Sequence, residues 1–337
     1  MSKISIAMAT YCGEKYLLEQ LNSLLNQTRK PDEVVIFDDC SKDNTASLVK
    51  SFISENGLND TWNFTVNSEN KGFVKNFAQA IEATTGDIIF LCDQDDIWYE
   101  NKISELENLF EQNSDAMAIN SSFDFIDALG DIINVPEKPK KTNHDLIYRL
   151  IPKNSCEEIS RLEVVRSNIS PGCTIAFRKK LKDIYLSTSK FIVPHDHEIN
   201  ILSAINGKLY FYNKATIGYR IHENNAIGLS TKGKKNYTDS FEASYNKRYK
   251  FLCTVYLHQN ALMHINGISA KELKYFNNMS KLYTAKKLIY EKKQFRYVIK
   301  AVIRTLFVPR KRRFLKTVIA DFLIVTMYKY FGGKNVH

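Results

Sequence analysis

The stretch FLCDQDDIW, residues 90–98, decides how the rest of the chain is read. An apolar ribbon of Ile88, Ile89, Phe90 and Leu91 runs straight into Asp93, Asp95 and Asp96. A short apolar run bounded by polar residues has the character of a buried strand. Carboxylates held this close repel one another unless water or a cation offsets the repulsion. The cluster is therefore either the solvated end of a strand or a metal site, and the surrounding sequence has to choose.

Working outward, strand-like and helix-like runs alternate. KISIAMAT (3–10) reads as a strand, and Leu17, Leu18, Leu21, Leu24 and Leu25 fall on one helical face. EVVIFDD and WNFTVN are further strands, with NTASLVKSFISEN and VKNFAQAIEAT as helices between the strands, and NKISELENLFEQN follows the opening stretch as another helix. This βαβαβαβα order predicts an α/β domain with a mostly parallel sheet and helices on both faces. Ligands of such sheets bind beyond the strand C-termini. Thr10 and Tyr11, Asp38 and Asp39, and Asp93 to Asp96 all fall at that edge. Beyond AINSSFDFID, residues 130–166 read as an irregular surface excursion. ISPGCTIAF resumes a strand, with Gly172 permitting a close backbone approach. HDHEINILSAING reads as a helix, LYFYN and TIGYRIH as two short strands, NAIGLSTKGKKNYTDS as a loop, and the chain from about 240 as helical.

Of the 337 residues, 44% are hydrophobic and 25% charged, as in ordinary globular proteins. The six cysteines form no CxxC pair and no zinc-spaced cluster, which fits a reducing compartment. The N-terminus MSKISIAMATY lacks the apolar core of a signal peptide, so a cytoplasmic protein is expected. The net charge of +10 is uneven. Residues 271–337 carry 17 Lys/Arg against three acids, a balance of +14, which leaves −4 for the first 270 residues. A mildly acidic body argues against a nucleic-acid groove in the main domain.

The first strand-to-helix turn, ATYCGEKY, contains neither GxGxxG nor GxxxxGK[ST]. A nucleotide bound here needs its phosphates neutralised in another way. A divalent cation on the Asp93/Asp95/Asp96 cluster does so, because oxygen ligands suit magnesium or manganese and these ions bridge carboxylate to diphosphate. Asp196, just before an apolar helix, is either a helix N-cap or a general base that takes a proton from an attacking hydroxyl. In YRIHENN, Arg220 and His222 lie two apart on one strand face, with Asn225 beyond. They are either surface polarity or a cation and an imidazole aimed at an anionic leaving group.

Taken in order, SIAMATY, VVIFDDCSKDNT, NKGFVKNF, LCDQDDIW, SPGCTIAF, HDHE and YRIHENN resemble the family 2 inverting glycosyltransferases of the GT-A fold. They are most similar to bacterial rhamnosyltransferase-like members that build capsule, O-antigen or exopolysaccharide. The likeness covers about residues 3–226. The resemblance implies that Thr10 and Tyr11 line the nucleotide base and that Asp39 accepts from the pyrimidine N3–H. It places Asp93 near the ribose and Asp95 on the metal, Mn2+ or Mg2+. Gly172 and Cys173 border the donor sugar, Asp196 is the base, and Arg220 with His222 holds the leaving diphosphate. The donor is then dTDP-rhamnose or a UDP-hexose, and the acceptor a lipid-linked glycan. A sugar-nucleotide pyrophosphorylase should open with a glycine-rich GxGxR loop, which is absent. A basic-tailed scaffold or RNA-binding protein predicts no metal-dependent nucleotide binding at the acidic edge.

In the tail, Arg296, Lys300 and Arg304 make a basic stripe, with Tyr297, Val298, Ala301, Val302, Thr305 and Leu306 opposite. Lys316 and Asp321 interrupt the apolar run that follows, so it falls short of the ~20 residues a spanning helix needs. Basic amphipathic helices lie on anionic membrane surfaces. The expectation is a GT-A domain over 1–240 and a basic helical extension over 241–337, apposed to the inner face of the cytoplasmic membrane as a peripheral protein.

Overall fold

The computed structural model describes residues 1–166, 168–188, 194–222, 268–308 and 311–331, with isolated positions between 245 and 263. Two compact units divide the chain, Met1–Thr231 and Lys232–His337. Asn225, the loop that follows it and the expected boundary near 240 lie outside the described residues.

In the first unit, β1 (Ile4–Thr10), β2 (Glu33–Asp38), β3 (Trp62–Val66) and β4 (Ile88–Cys92) alternate with α1 (Leu17–Leu25), α2 (Thr45–Glu55) and α3 (Phe73–Ala83). All four strands are parallel, in the spatial order β3-β2-β1-β4. Each residue of β4 is buried, as expected for an inner strand of a sheet covered on both faces. α1 buries Leu17, Leu21 and Leu24, one stripe at helical spacing, against the same core. Register sets Thr10 beside Asp38 and Met8 beside Cys92, so these strands end at one edge.

Past the short β5 (Ile97–Trp98) and α4 (Lys102–Gln112), the sheet becomes mixed. β9 (Ile175–Arg178) runs antiparallel between β4 and β6 (Ala116–Ile126), and β6 pairs in parallel with β10 (Lys208–Arg220). The expected pair of short strands is thus one 13-residue strand. The polar break at Asn213–Lys214 looks like a turn in sequence. Instead Asn213 is buried, donates from its side chain to the Ile151 carbonyl, and sits where the register with β6 shifts. The region expected to be irregular also holds β7 (Ile132–Ile133), β8 (Cys156–Ile159) and α5 (Arg161–Arg166). α6 (Lys179–Thr188) and α7 (His195–Asn206) pack on each other, and α7 also packs on β6 and β10.

The second unit packs α8 (Ala270–Lys292), α9 (Phe295–Thr305) and α10 (Lys311–Phe331) on one another. A reciprocal Ser269–Glu272 capping box starts α8. Asp321 is fully buried and accepts from Arg248 at 2.7 Å and from the Tyr290 hydroxyl at 3.1 Å, while the Lys286 ammonium lies 3.1 Å away. Its charge is therefore compensated inside the unit. Among the described residues no helix is long and apolar enough to cross a membrane.

Candidate active site

The strand ends of β1, β2 and β4 open into a cavity of about 1200 Å³, lined on its far side by Gly172 and the start of α7. Thr10, Tyr11, Asp39, Asp93, Asp95, Gly172, Asp196 and His222 all line it. Cys173 and Arg220 do not. Such a volume exceeds that of most single-ligand pockets and leaves room for two substrates.

The β1 and β2 ends form one side. Thr10 donates its hydroxyl to Asp38 at 2.9 Å, and Asp38 also accepts from the Ser41 amide at 2.8 Å. Asp38 thus ties the two strand ends together. Asp39 is 2% exposed, and its Oδ1 accepts from the Asn67 amide group and the Lys71 backbone N–H. Its Oδ2 accepts from the Gly72 backbone N–H at 2.8 Å. Gly72 has φ of 83°, a conformation that favours glycine, which is how the loop turns its N–H onto the carboxylate. With a single partner for Oδ2 among the described residues, one lone pair there remains for a ligand N–H. Tyr11 exposes nearly half its surface, while its backbone N–H and C=O are both held by the Gln94 side chain, at 2.8 and 3.0 Å.

The acidic turn after β4 forms the floor. Burial first, then the nearby Asp96 and Asp95 charges, hold the Asp93 carboxyl well above the usual range. Asp96, fully buried, is pushed up to about 7 by burial and then by Asp95. Asp93, Asp96 and Cys173 bring possible ligand atoms within 4.8 Å of one another. Burial pushes the Cys173 thiol well up, and a soft thiol suits Mn2+ or Mg2+ less well than oxygen ligands do. Behind it the buried Lys102, brought down to about 8 by burial, donates to the Cys173 carbonyl and lies 3.9 Å from the Trp98 ring centre. An ammonium in this position supplies positive charge to the floor and disfavours an ion there.

The donor set at the cavity itself is better suited to a metal. His222 Nε2 lies 2.8 Å from Asp95 Oδ2, and both residues are partly accessible. A carboxylate and an imidazole side by side, next to mutually repelling carboxyls, fit a divalent cation bridging to an anionic ligand.

Arg220 is placed otherwise than the resemblance implies. It is 0% exposed, and its guanidinium donates to the backbone carbonyls of Asp95 (2.7 Å), Asp127 (3.1 Å) and Ala128 (3.1 Å). It also pairs with Glu19 and lies 4.5 Å from the Tyr16 ring centre. The guanidinium braces the Asp95 turn from behind instead of facing a diphosphate. Sequence spacing located the residue but not its direction.

Asp196 faces the floor from the other wall. The N-cap of α7 is Pro194, and Asp196 sits inside the first turn, so it is not the helix cap. Its Oδ2 accepts from Asn168 Nδ2 at 2.5 Å, while Oδ1 is buried without a hydrogen-bond partner among the described residues. Asn168 accepts in turn from Asn200, which is bonded to Asn120 on β6, giving a chain of amides from the sheet to the carboxylate. No short-range signal announces these three asparagines. His195, 6% exposed, packs tilted against Phe77 with ring centres 4.1 Å apart, and neither ring nitrogen has a hydrogen-bond partner among the described residues. Burial lowers its pKa, so the ring is neutral. A Cβ at Gly172 would lie 3.0 Å from His195 Nε2 and 3.3 Å from Asp196 Cβ, so glycine keeps this corner open.

Comparison with known proteins agrees with this architecture. A family model described as Glycosyl transferase family 2 matches residues 5–184. The dTDP-rhamnosyl transferase RfbG of Shigella flexneri is 26% identical over 248 residues, covering 68% of this chain and 76% of its own. The poly(ribitol-phosphate) beta-N-acetylglucosaminyltransferase TarS of Staphylococcus aureus is 27% identical over 223 residues, which is 63% of this chain but only 35% of TarS. A crystal structure of S. aureus TarS 1-349 in complex with UDP-GlcNAc superposes with a TM-score of 0.61 at 18% identity, covering 97% of this chain and 92% of that one. The mannosyltransferase PcManGT of Pyrobaculum calidifontis, in complex with GDP-Man and Mn2+, gives 0.53 at 14% identity, covering 99% and 88%. These structures share the GT-A fold with the sheet described above. With a family match over more than half its length, the chain belongs to glycosyl transferase family 2.

Proposed function

We propose that this chain is an inverting glycosyltransferase that moves a sugar from a nucleotide-diphosphate donor, dTDP-rhamnose or a UDP-hexose, to a hydroxyl of a growing bacterial cell-surface polysaccharide. The acceptor is carried on a lipid, and the protein works peripherally at the inner face of the cytoplasmic membrane. The observation that carries the reading is Asp196: the residue lines the same cavity as the acidic turn, one of its oxygens is oriented by Asn168, and the other has no hydrogen-bond partner among the described residues.

In this reading Tyr11 offers its exposed ring to the pyrimidine and Asp39 accepts from the base N–H. Asp95 and His222 are the residues that would hold Mn2+ or Mg2+, and a cation bound there supplies charge neutralisation to the diphosphate. Asp196 takes the proton of the acceptor hydroxyl as its oxygen forms the new bond to the anomeric carbon. The bond from that carbon to the diphosphate oxygen breaks in the same displacement, the nucleoside diphosphate leaves, and the configuration inverts. His195, which lines the cavity and whose ring nitrogens have no partner among the described residues, reads sugar hydroxyls with one donor and one acceptor nitrogen.

Asp196→Asn keeps the shape and removes the base. Turnover should fall at least ~100-fold with donor affinity nearly unchanged. Turnover close to wild type would overturn the assignment.

A further inference from the structure

We propose that α9 and α10 together present one face to an anionic lipid bilayer, with two adjacent apolar ridges entering the headgroup boundary and a flanking row of cations meeting the lipid phosphates. The inference rests on the membrane placement proposed above and goes beyond it by assigning the face that docks.

α9 buries Val298, Ala301 and Thr305. The apolar side chains left outside are Phe295, Ile299 and Ile303, exposed by 61, 49 and 48%. They recur every fourth residue and so form a ridge, which Leu306 and Phe307 extend at 58% each. α10 repeats the pattern: Val318, Asp321 and Val325 point inward, while Leu315, Ile319 and Leu323 stay exposed by 36, 48 and 52%. The link between the helices is short, and Phe295 at the start of α9 meets Phe322 in the second half of α10, with ring centres 5.6 Å apart. The helices are therefore antiparallel, and this register brings Ile299 to within one residue of the level of Ile319, and Ile303 to within one residue of the level of Leu315. The two apolar ridges thus run at matching heights on adjoining helices. Contiguous apolar surface of this kind marks a contact site.

The charges select the partner. Arg296, Lys300 and Arg304 each follow a ridge residue by one position, and Lys316 follows Leu315 in the same way. All four are exposed. Arg296 and Lys300 also flank the Tyr297 ring, at 4.9 and 5.4 Å from its centre. Between 295 and 331 the chain has nine Lys/Arg and one acid, Asp321, which is buried and paired. A second copy of this face would set cation against cation. An anionic bilayer accepts both the ridges and the row beside them.

The test is cosedimentation of the full chain with vesicles of equimolar phosphatidylglycerol and phosphatidylcholine, at low and high salt. Wild type should bind, more weakly but measurably at high salt, because apolar burial is not screened. Ile299→Gln/Ile303→Gln/Ile319→Gln/Leu323→Gln should bind at least ~10-fold more weakly at high salt. Arg296→Gln/Lys300→Gln/Arg304→Gln should lose the salt-sensitive part. Unchanged circular dichroism and melting confirm that the exposed substitutions leave the fold intact. In the Ile303→Trp variant, indole fluorescence should shift to the blue on vesicle binding. Wild type that ignores the vesicles overturns the membrane placement itself. Wild type that binds while the apolar variant binds equally well, or fluorescence of the Ile303→Trp variant unmoved by vesicles, overturns only this face. Loss of a dimer in the apolar variant, with vesicle binding retained, assigns the ridges to a second copy of the chain and also overturns it.

Discussion

Replacing Arg220 with methionine separates a residue that binds substrate from one that braces the site. Three backbone carbonyls, of Asp95, Asp127 and Ala128, take hydrogen bonds from its guanidinium, and all three would lose a charged donor. A hydrogen bond to a charged group contributes about 1.5–3 kcal/mol, but neighbouring bonds do not add fully. The Glu19 pair is discounted, because Glu19 is half exposed and solvent screens it. Methionine also fills part of the space over Tyr16. The expected cost is about 3–5 kcal/mol, or roughly 10 °C in Tm for a unit of this size. Scanning calorimetry of Arg220→Met measures the first quantity, and titration of UDP and dTDP with manganese measures the second. Bracing predicts a fall in Tm together with weaker metal-dependent binding, since the Asp95 turn loses its support. A variant that melts within ~2 °C of wild type yet loses nucleotide affinity would show that Arg220 contacts the diphosphate and does not brace the turn.

Other perturbations probe the remaining walls. Asp95→Ala should abolish the manganese-dependent gain in UDP or dTDP affinity with circular dichroism unchanged, and His222→Ala should reduce that gain at least ~10-fold; metal-dependent binding that persists in both removes the pair as the cation site. Asn168→Ala should lower kcat more than it changes KM, because it frees Asp196 Oδ2 without touching the donor side; an unaltered kcat would mean that the amide chain orients nothing. His195 gives a pH signature. In the unfolded chain its imidazole takes up a proton below about 6.5, whereas burial keeps the folded one neutral, so the unfolded state binds more protons and stability falls as pH drops through that value. His195→Phe should flatten that loss in melting curves between about pH 7 and 5 while retaining the ring contact with Phe77.

The parallel half of the sheet is legible in sequence because its strands and helices alternate locally, and the period of Leu17, Leu21 and Leu24 shows which face goes inward. The mixed half is not. Nothing in ISPGCTIAF shows that this strand will run antiparallel between β4 and β6, since strand order arises from pairings far apart in the chain. β10 was hidden by Asn213, whose side chain finds a buried carbonyl that no local pattern reveals. The acidic turn, Asp39 and Asp196 could be picked out by residue type and position at strand or helix ends. The direction of Arg220, the three asparagines behind Asp196 and Lys102 beneath the floor depend on distant partners. In the tail the stripe of cations was readable, but the apolar face expected opposite it is largely the one that packs inward. The exposed ridge is Phe295, Ile299 and Ile303, directly beside the cations.

The bracing by Arg220 also fixes when the acidic turn can take shape. Its partners lie 125 residues back at Asp95 and 201 residues back at Glu19. A ribosome has made all of β1 to β4, and the whole stretch matched by the family model, well before Arg220 leaves the exit tunnel. Until then the Asp95 carbonyl has no guanidinium to hold it. The nascent chain can assemble its parallel sheet early, while the acidic turn sets only when β10, the last strand among the described residues, closes against β6 and threads that side chain behind the turn.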